Sequence, residues 1–419
     1  MNRNMGNEII HIDRNCRICH SKRIINVFTL NPTPPADCFV TKNNLNKTSE
    51  KFPLILAICD DCGYLHLPYV LHPEVSYTDY VYETQITIGL SQHYLDYAKE
   101  IVSFSNLSKG SYVVDLGSND GTMLHAFEEA GMKVLGVEPN EQIAGIANQN
   151  QLETINDYFS NGVTEKIIHE YGKVSIVTAN YMYANIHNII QFTENVKKVL
   201  DSEGLFVIQT GYHPEQMKIS MFDYIYHEHF SYFTVKVLKR LLYDCGMELL
   251  HVSLHSAKGG SIRAIAQHRS GKREQDDSIG AFIKEEENRG LHEPKTYMRF
   301  ADDIVHKKNE VLNSLQNIHL AGHSIVGYGA SHSTTTLLHH FEIGKYLDYL
   351  VDDNPIKLGL YSPGYHLPVY SPQKLYEERP EYILVLAWQH QDSIIKRNMK
   401  YLDKGGKFIV PLPKLKVIG

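Results

Sequence analysis

Cys16-Arg-Ile-Cys19 and Cys59-Asp-Asp-Cys62 form two CxxC knuckles within one short N-terminal stretch. Two residues between thiols let both sulfurs face one ion, and two such turns complete the tetrahedral S₄ set that zinc takes. All four positions are then filled by protein, so the expected zinc is structural. Its binding would supply folding energy to a segment too small to bury a core of its own. Buried thiols or two redox pairs are the other readings of this spacing. Cys38 lies between the knuckles as a surplus thiol, and Cys245 in LLYDCGM is expected in the core.

A second chemistry-bearing stretch is SYVVDLGSNDG at 111–121. Tyr112 to Leu116 is an apolar run fit for a buried parallel strand. Gly117-Ser118-Asn119-Asp120-Gly121 is a turn in which glycine lets the backbone approach a ligand closely. Thr122 to Ala130 has a helical period, and Lys133 to Glu138 is a second strand ending in an acid. Such an acid can accept both ribose hydroxyls of an adenosine, and Asp115 sits at the strand edge where open α/β sheets bind ligands. A dinucleotide turn wants G-x-G-x-x-G against a pyrophosphate. Here only Gly117 and Gly121 are present, with Asn119 and Asp120 between them. An acid would repel a pyrophosphate, whereas S-adenosylmethionine (SAM) carries a sulfonium and no phosphate, so SAM is favoured over NAD. Asn180 ends a further strand, Val174–Asn180, and Leu205–Gln209 makes another.

The segment DYIYHEHFSYF, 223–233, is dense in ionisable groups. A histidine beside a glutamate can be tuned to act as general base. A hydrogen-bonded structural cluster and a metal site are the competing readings, although H-E-H lacks the one-turn spacing of H-E-x-x-H.

Three blocks must position these groups. Residues 1–75 are loop-rich and hold five of the six cysteines; 76–305 alternate strand and helix patterns; 306–419 begin a second α/β pattern. The fold class is therefore α/β: a zinc-binding module, a central doubly wound SAM-binding Rossmann-like domain, and a second Rossmann-like domain. In the last block, Ser324–Ala330 is a strand entering a glycine turn, and Leu350 to Pro355 and Tyr382 to Trp388 contain later strands. Its glycine fingerprint lacks one position, which argues against an independent NAD site. The charged stretch Arg269–Pro294 is expected to be a solvated helical connector. A net charge of −7 argues against a nucleic-acid partner. No apolar run reaches the roughly 20 residues of a membrane span, and no secretory h-region is present. The expected location is cytoplasmic, with no membrane partner.

In order along the chain, CRIC…CDDC, DLGSNDGT, YHEHFSYF, GGSIR, GYGA and DDNPIKLGLYSPG resemble the sugar C-methyltransferases of deoxysugar biosynthesis, from Cys16 to about Trp388. The resemblance implies a nucleotide-linked 4-keto-6-deoxyhexose as substrate, methylated at C3, with the last Rossmann-like block as the nucleotide-sugar platform. A base removes the proton next to the ketone and the enolate carbon takes the SAM methyl. By resemblance, His229 is the base, Glu228 orients it, Tyr226 contacts substrate, and Tyr82 of YVYET is a catalytic tyrosine with Tyr80 as its alternate. The implied substrate contacts are Tyr80, His227, Lys258, Arg263, Tyr328, Ser331, Ser333, Asp353 and Tyr361. The chain departs from the family pattern twice. Asn185 stands where a histidine is usual, with His187 two residues on, and the GYGA turn is followed by SHSTTT rather than a lysine-containing stretch. Those hydroxyls and helix-terminal amides can still hold a phosphate. The rival functions are O- or N-methylation of another small molecule, and a non-catalytic SAM- or nucleotide-binding adaptor.

Overall fold

The computed structural model describes residues 9–72 and 89–419, so Tyr80 and Tyr82 lie outside the described residues. In the N-terminal part, β1 (Ile10–Ile12) pairs with β5 (Tyr69–Leu71), while β2 (Ile24–Thr33), β3 (Phe52–Cys59) and β4 (Leu65–His66) form an antiparallel sheet. The β3–β4 turn carries one knuckle, and Gly63 there has φ +73°, a conformation that favours glycine.

The central sheet takes β6 (Tyr112–Leu116), β7 (Lys133–Val137), β8 (Thr154–Ile155), β9 (Val174–Asn180) and β10 (Leu200–Gly211). After these, β11 (Ser231–Tyr232) leaves the central sheet and joins the N-terminal one beside β4. Then β12 (Met247–His255) and β13 (Ser261–His268) return, giving the order β12-β13-β10-β9-β6-β7-β8. Neighbours from β8 through β10 are parallel, and β13 is antiparallel to both its partners. From β6 the chain winds outward through β7 and β8, then crosses to β9 on the other side. The crevice at the carboxyl ends of β6 and β9 is thus the switch point where such sheets bind ligands.

A 27-residue helix, Pro294–Leu320, leads into the last sheet and runs unbroken past residue 305. That sheet comprises β14 (Ile325–Tyr328), β15 (Leu350–Val351), β16 (Val369–Tyr370), β17 (Tyr382–Val385), β18 (Lys407–Val410) and β19 (Lys416–Ile418), in the order β16-β15-β14-β17-β18-β19. Only β19 is antiparallel, so a second switch point lies between β14 and β17. Among the described residues no helix is long and apolar enough to cross a membrane.

One feature departs from the sequence expectation. The charged connector is not solvated throughout: Glu286, in the helix Ser278–Asn288, is fully buried and accepts from the Tyr212 hydroxyl (2.7 Å) and the amides of Val235 and Lys236. It caps the helix Val235–Asp244, because a carboxylate at a helix start satisfies orphan amides. The three units also share cores. Phe28, Leu30 and Leu56 of the N-terminal sheet join one apolar cluster with Phe222 of the central region and Phe341 of the last domain.

Asp223 latches the central region to the last domain. It is fully buried, accepts from the Trp388 indole N–H at 2.9 Å, and has a second oxygen with no partner. Burial pushes its carboxyl up to about 7, with the Trp388 hydrogen bond opposing. Unfolded, it would ionise near the ordinary carboxylate value, so between about pH 4 and 7 the folded chain holds a proton that the unfolded chain has lost. Its contribution to stability therefore falls as pH rises through that window. Asp223→Asn keeps an acceptor and removes the charge, so it should flatten part of that decline. Asp223→Ala leaves the indole N–H unpaired and should cost about 1–3 kcal/mol. Urea unfolding at pH 5 and pH 8 separates the cases, and an Asn variant that loses as much stability as the wild type over that interval would contradict the assignment.

Candidate active site

The four knuckle thiols converge. Cys16 and Cys62 sulfurs are 3.6 Å apart, Cys19 and Cys59 sulfurs 3.5 Å, and all four lie within 4.8 Å of one another. Tetrahedral zinc–thiolate bonds of ~2.3 Å require sulfurs about 3.7 Å apart, so the set fits zinc. The amides of Ile18 and Cys19 point at the Cys16 sulfur at 3.4 Å, which supports thiolate charge. Cys38 is outside the group and Cys245 is buried in the core.

At the first switch point the turn folds as its residues require. Gly117 (φ +68°), Asn119 (+50°) and Gly121 (+85°) all take left-handed conformations. A Cβ on Gly136 of β7 would stand 2.5 Å from the Ser118 hydroxyl oxygen, so that residue's smallness lets the turn pack on the strand. Asp115 is buried and accepts from the Thr178 hydroxyl (2.5 Å) and the Asn180 side-chain amide (3.1 Å). Burial pushes its carboxyl up to about 7, and the nearby charge of Glu138 adds to this. Glu138 accepts one amide on each oxygen, from Asn119 (3.0 Å) and Asn140 (2.9 Å), leaving lone pairs on both for a diol. Asp120 accepts from the amide and hydroxyl of Thr122 at the helix start. The Ser118 hydroxyl and the Asn180 side-chain oxygen are buried without hydrogen-bond partners. An edge lined by three carboxylates with orphaned acceptors fits the cationic SAM and would repel a pyrophosphate.

The second cluster forms where all three units meet. Arg17, inside the first knuckle, donates to the Phe230 carbonyl (2.7 Å), the Leu67 carbonyl (3.1 Å) and Asp13 (2.7 Å). The zinc module thereby holds the backbone immediately after His229. His229 is buried, packs 4.6 Å from the Tyr232 ring and 5.8 Å from the Tyr226 ring, and its Nδ1 has no hydrogen-bond partner. Burial pulls its imidazole down to about 4, and the Lys258 charge adds to the shift, so it is neutral at pH 7. Glu228 is buried with neither carboxyl oxygen hydrogen-bonded. Burial pushes it up to about 7, and the charge of Asp37 acts in the same direction. Tyr226 lies 5.5 Å from His332, whose Nε2 is 3.6 Å from Asp37, and Lys357 closes the group with its ammonium 2.9 Å from the same Asp37.

The other expected contacts are dispersed. His227 turns to the N-terminal sheet, edge-on to Phe52 at 6.1 Å. Arg263 is fully buried in the sheet, paired with Glu100 and donating to Gln209 at 3.0 Å. Lys258 stacks on the Tyr181 ring, 4.1 Å from its centroid. Ser331 and Thr334 form a capping box at the start of the helix His332–Phe341, with the Ser333 hydroxyl 3.0 Å from that of Ser331. Tyr328 donates to Asp353 (3.2 Å), which also pairs with Arg397. Tyr361 bridges to Val40 of the N-terminal module. Asn185 keeps a buried side-chain oxygen without a partner, and His187 pairs with Asp13 at 3.1 Å. The sequence reading missed Asp37, His332, Lys357 and Tyr181. Lys357 and His332 stood within the DDNPIKLG and SHSTTT stretches already singled out, whereas nothing local marks Asp37.

Family models described as a zinc binding domain, a methyltransferase domain and a C-methyltransferase C-terminal domain match residues 16–77, 91–252 and 256–413. C-methyltransferase NovU of Streptomyces niveus is 30% identical over 404 residues, covering 96% of each chain. Among solved structures, magnesium protoporphyrin IX methyltransferase of Synechocystis PCC 6803 with bound SAM is 15% identical, covering 45% of this chain and 85% of its own with a TM-score of 0.34. A SAM-dependent methyltransferase of Clostridium acetobutylicum ATCC 824 is 10% identical, covering 48% and 96% with the same TM-score of 0.34. Thiol set, SAM-type edge and full-length likeness agree: the chain belongs to the SAM-dependent C-methyltransferases that carry an N-terminal zinc-binding domain.

Proposed function

We propose that this C-methyltransferase acts on a nucleotide-linked 4-keto-6-deoxyhexose, at the C3 carbon beside the ketone. The observation that carries the reading is the convergence of Tyr226, Glu228 and His229 at a junction walled by all three units. A ring carbon has no basic lone pair, so its methylation needs a base and a stabilised oxyanion. The neutral His229 imidazole takes the C3 proton, and the C–H electron pair becomes the C3–C4 double bond of an enolate. The ketone π electrons move to oxygen, for which the Tyr226 phenol is the proposed contact. When bound, SAM supplies the methyl group as an electrophile, so that carbon–carbon bond formation breaks the carbon–sulfur bond and leaves the electron pair on sulfur. Glu228, whose carboxyl oxygens have no partner in this structure, is proposed to orient or polarise His229 once substrate is bound, and by the family resemblance Tyr82 of the YVYET segment is the further candidate for stabilising the enolate.

The last domain carries the nucleotide, with Tyr328, Asp353, Ser331 and Ser333 near its switch point as contacts. Enzyme, SAM and nucleotide sugar meet in the cytoplasm in this reading. The test is solvent deuterium exchange at C3 with SAM omitted. Incorporation of one deuterium that depends on His229 is expected. A substrate that is methylated yet never exchanges, in wild type or with SAM replaced by S-adenosylhomocysteine, would remove the enolate step.

A further inference from the structure

We propose that His11, Asp13 and His187 form a second metal site in this protein, an open set of two imidazoles and one carboxylate for a divalent ion of the zinc class. Besides the four knuckle thiols, these three side chains are the other group of metal-type donors that converges among the described residues.

The sequence puts the first two on one face. His11 lies in the middle of β1 and Asp13 two residues on, and side chains two apart on an extended strand point the same way. The pairing of His11 with Val70, and the bond from the Asp13 amide to the Pro68 carbonyl (2.8 Å), keep that stretch extended beside β5. His187 comes from the central domain, in the connection between β9 and the helix Ile189–Val199. The site therefore spans the seam between the zinc module and the SAM-binding domain.

The distances suit an ion. One Asp13 oxygen, Oδ1, stands 3.2 Å from His11 Nε2 and 3.1 Å from His187 Nε2. Metal–nitrogen and metal–oxygen bonds of ~2.0–2.2 Å separate neighbouring donors by about 3.0–3.4 Å, between six- and four-coordinate geometry. All three donor atoms lie within 4.8 Å of one another, and the two imidazoles meet edge-on with ring centroids 5.2 Å apart. The surrounding contacts orient the ligands. The other Asp13 oxygen accepts from Arg17 at 2.7 Å, which leaves Oδ1 to the histidines, and the His187 ring meets Phe230 edge-on at 6.3 Å. The side chains of His11 and His187 are 45% and 33% exposed, which gives an ion a path in and leaves room for water in the remaining positions.

Two imidazoles and a carboxylate select zinc, cobalt or nickel over magnesium and calcium, which take sets of oxygens. Three ligands hold an ion less tightly than four thiolates, and the Arg17 charge offsets that of Asp13. The ion is therefore exchangeable: dialysed protein keeps the knuckle zinc and releases this one. When filled, the site ties β1 to the central domain beside the Phe230 carbonyl that Arg17 holds, and it stabilises the folded chain by mass action.

The test titrates the full-length, zinc-loaded chain with Co²⁺, followed by absorption and calorimetry, in the wild type and in His11→Gln, His187→Gln and His125→Gln. One further equivalent is expected, with cobalt d–d bands and no thiolate charge transfer, and with a thermal midpoint that rises with Co²⁺. His11→Gln and His187→Gln should each weaken this binding at least ~10–100-fold, the loss that even outer-shell substitutions cause. Knuckle zinc, measured by mass spectrometry, should stay at one per chain in both. His125, an exposed imidazole paired with Glu129 at 3.3 Å, lies outside the set, so His125→Gln should match the wild type. The absence of a further equivalent, a cobalt signal carried wholly by thiolate charge transfer, or binding left intact by either ligand variant would overturn the proposal. So would an equal loss in His125→Gln.

Discussion

His229→Ala should bind SAM with wild-type affinity yet turn over ~10²–10⁴-fold more slowly, the range that a positioned general base contributes. The imidazole is buried against Tyr232 and Tyr226 and lies in a different segment from the Asp115–Glu138 edge, so its loss leaves the SAM contacts in place. Burial and the Lys258 charge keep it neutral down to about pH 4, so the free base is present throughout the ordinary working range. An acid limb near pH 7 would then belong to another group. Glu228 and Asp115, both pushed up to about 7 by burial, are the candidates, and Glu228→Gln tells them apart. If the Glu228 carboxylate orients His229, kcat/KM rises with pH through about 7, and Glu228→Gln removes that limb. Steady-state kinetics across pH 5–9, with calorimetry for SAM, measures both. A His229→Ala enzyme with undiminished kcat would assign the base elsewhere.

Removing the zinc should stop turnover while the SAM edge survives. One zinc per chain is expected, and its loss in Cys59→Ser or by strong chelation forfeits a large part of the roughly 10–16 kcal/mol that such S/N sites contribute to folding. The consequence reaches the site through Arg17, whose guanidinium holds the Phe230 carbonyl beside His229, and through β4, which pairs with β11 directly after that segment. The N-terminal module also supplies Asp37, the carboxylate facing His332 and Lys357. The apo-protein is therefore expected to bind SAM but show kcat reduced at least as far as in His229→Ala. Metal analysis by mass spectrometry alongside activity checks this. A stoichiometric loss of zinc with full turnover would show that the knuckles do not position the base.

Local chemistry made the scaffold legible. Apolar runs ending in Asp115, Glu138 and Asn180, and glycines at left-handed turn positions, announce strand ends where an α/β sheet meets its ligand. CxxC spacing likewise announces its ion, because ligand geometry is fixed within four residues. What local sequence could not display is which side chain crosses a domain boundary. Asp37 meets Lys357 across 320 residues of chain, and β11 leaves the central domain for the N-terminal sheet. The resemblance implied a substrate contact for Arg263, yet its buried guanidinium is engaged by Glu100, Gln209 and the Tyr97 ring. Glu286, within a stretch expected to be solvated, is buried because three donors converge on it.

The most direct measurement is analysis of the product formed by the zinc-loaded protein from SAM and a panel of nucleotide-linked 4-keto-6-deoxyhexoses. Mass spectrometry should show a gain of one methylene on one panel member, and carbon NMR should place the new methyl on C3. A methyl found on oxygen or nitrogen, or no gain on any member while SAM still binds, would contradict the keto-sugar C-methylation proposed here.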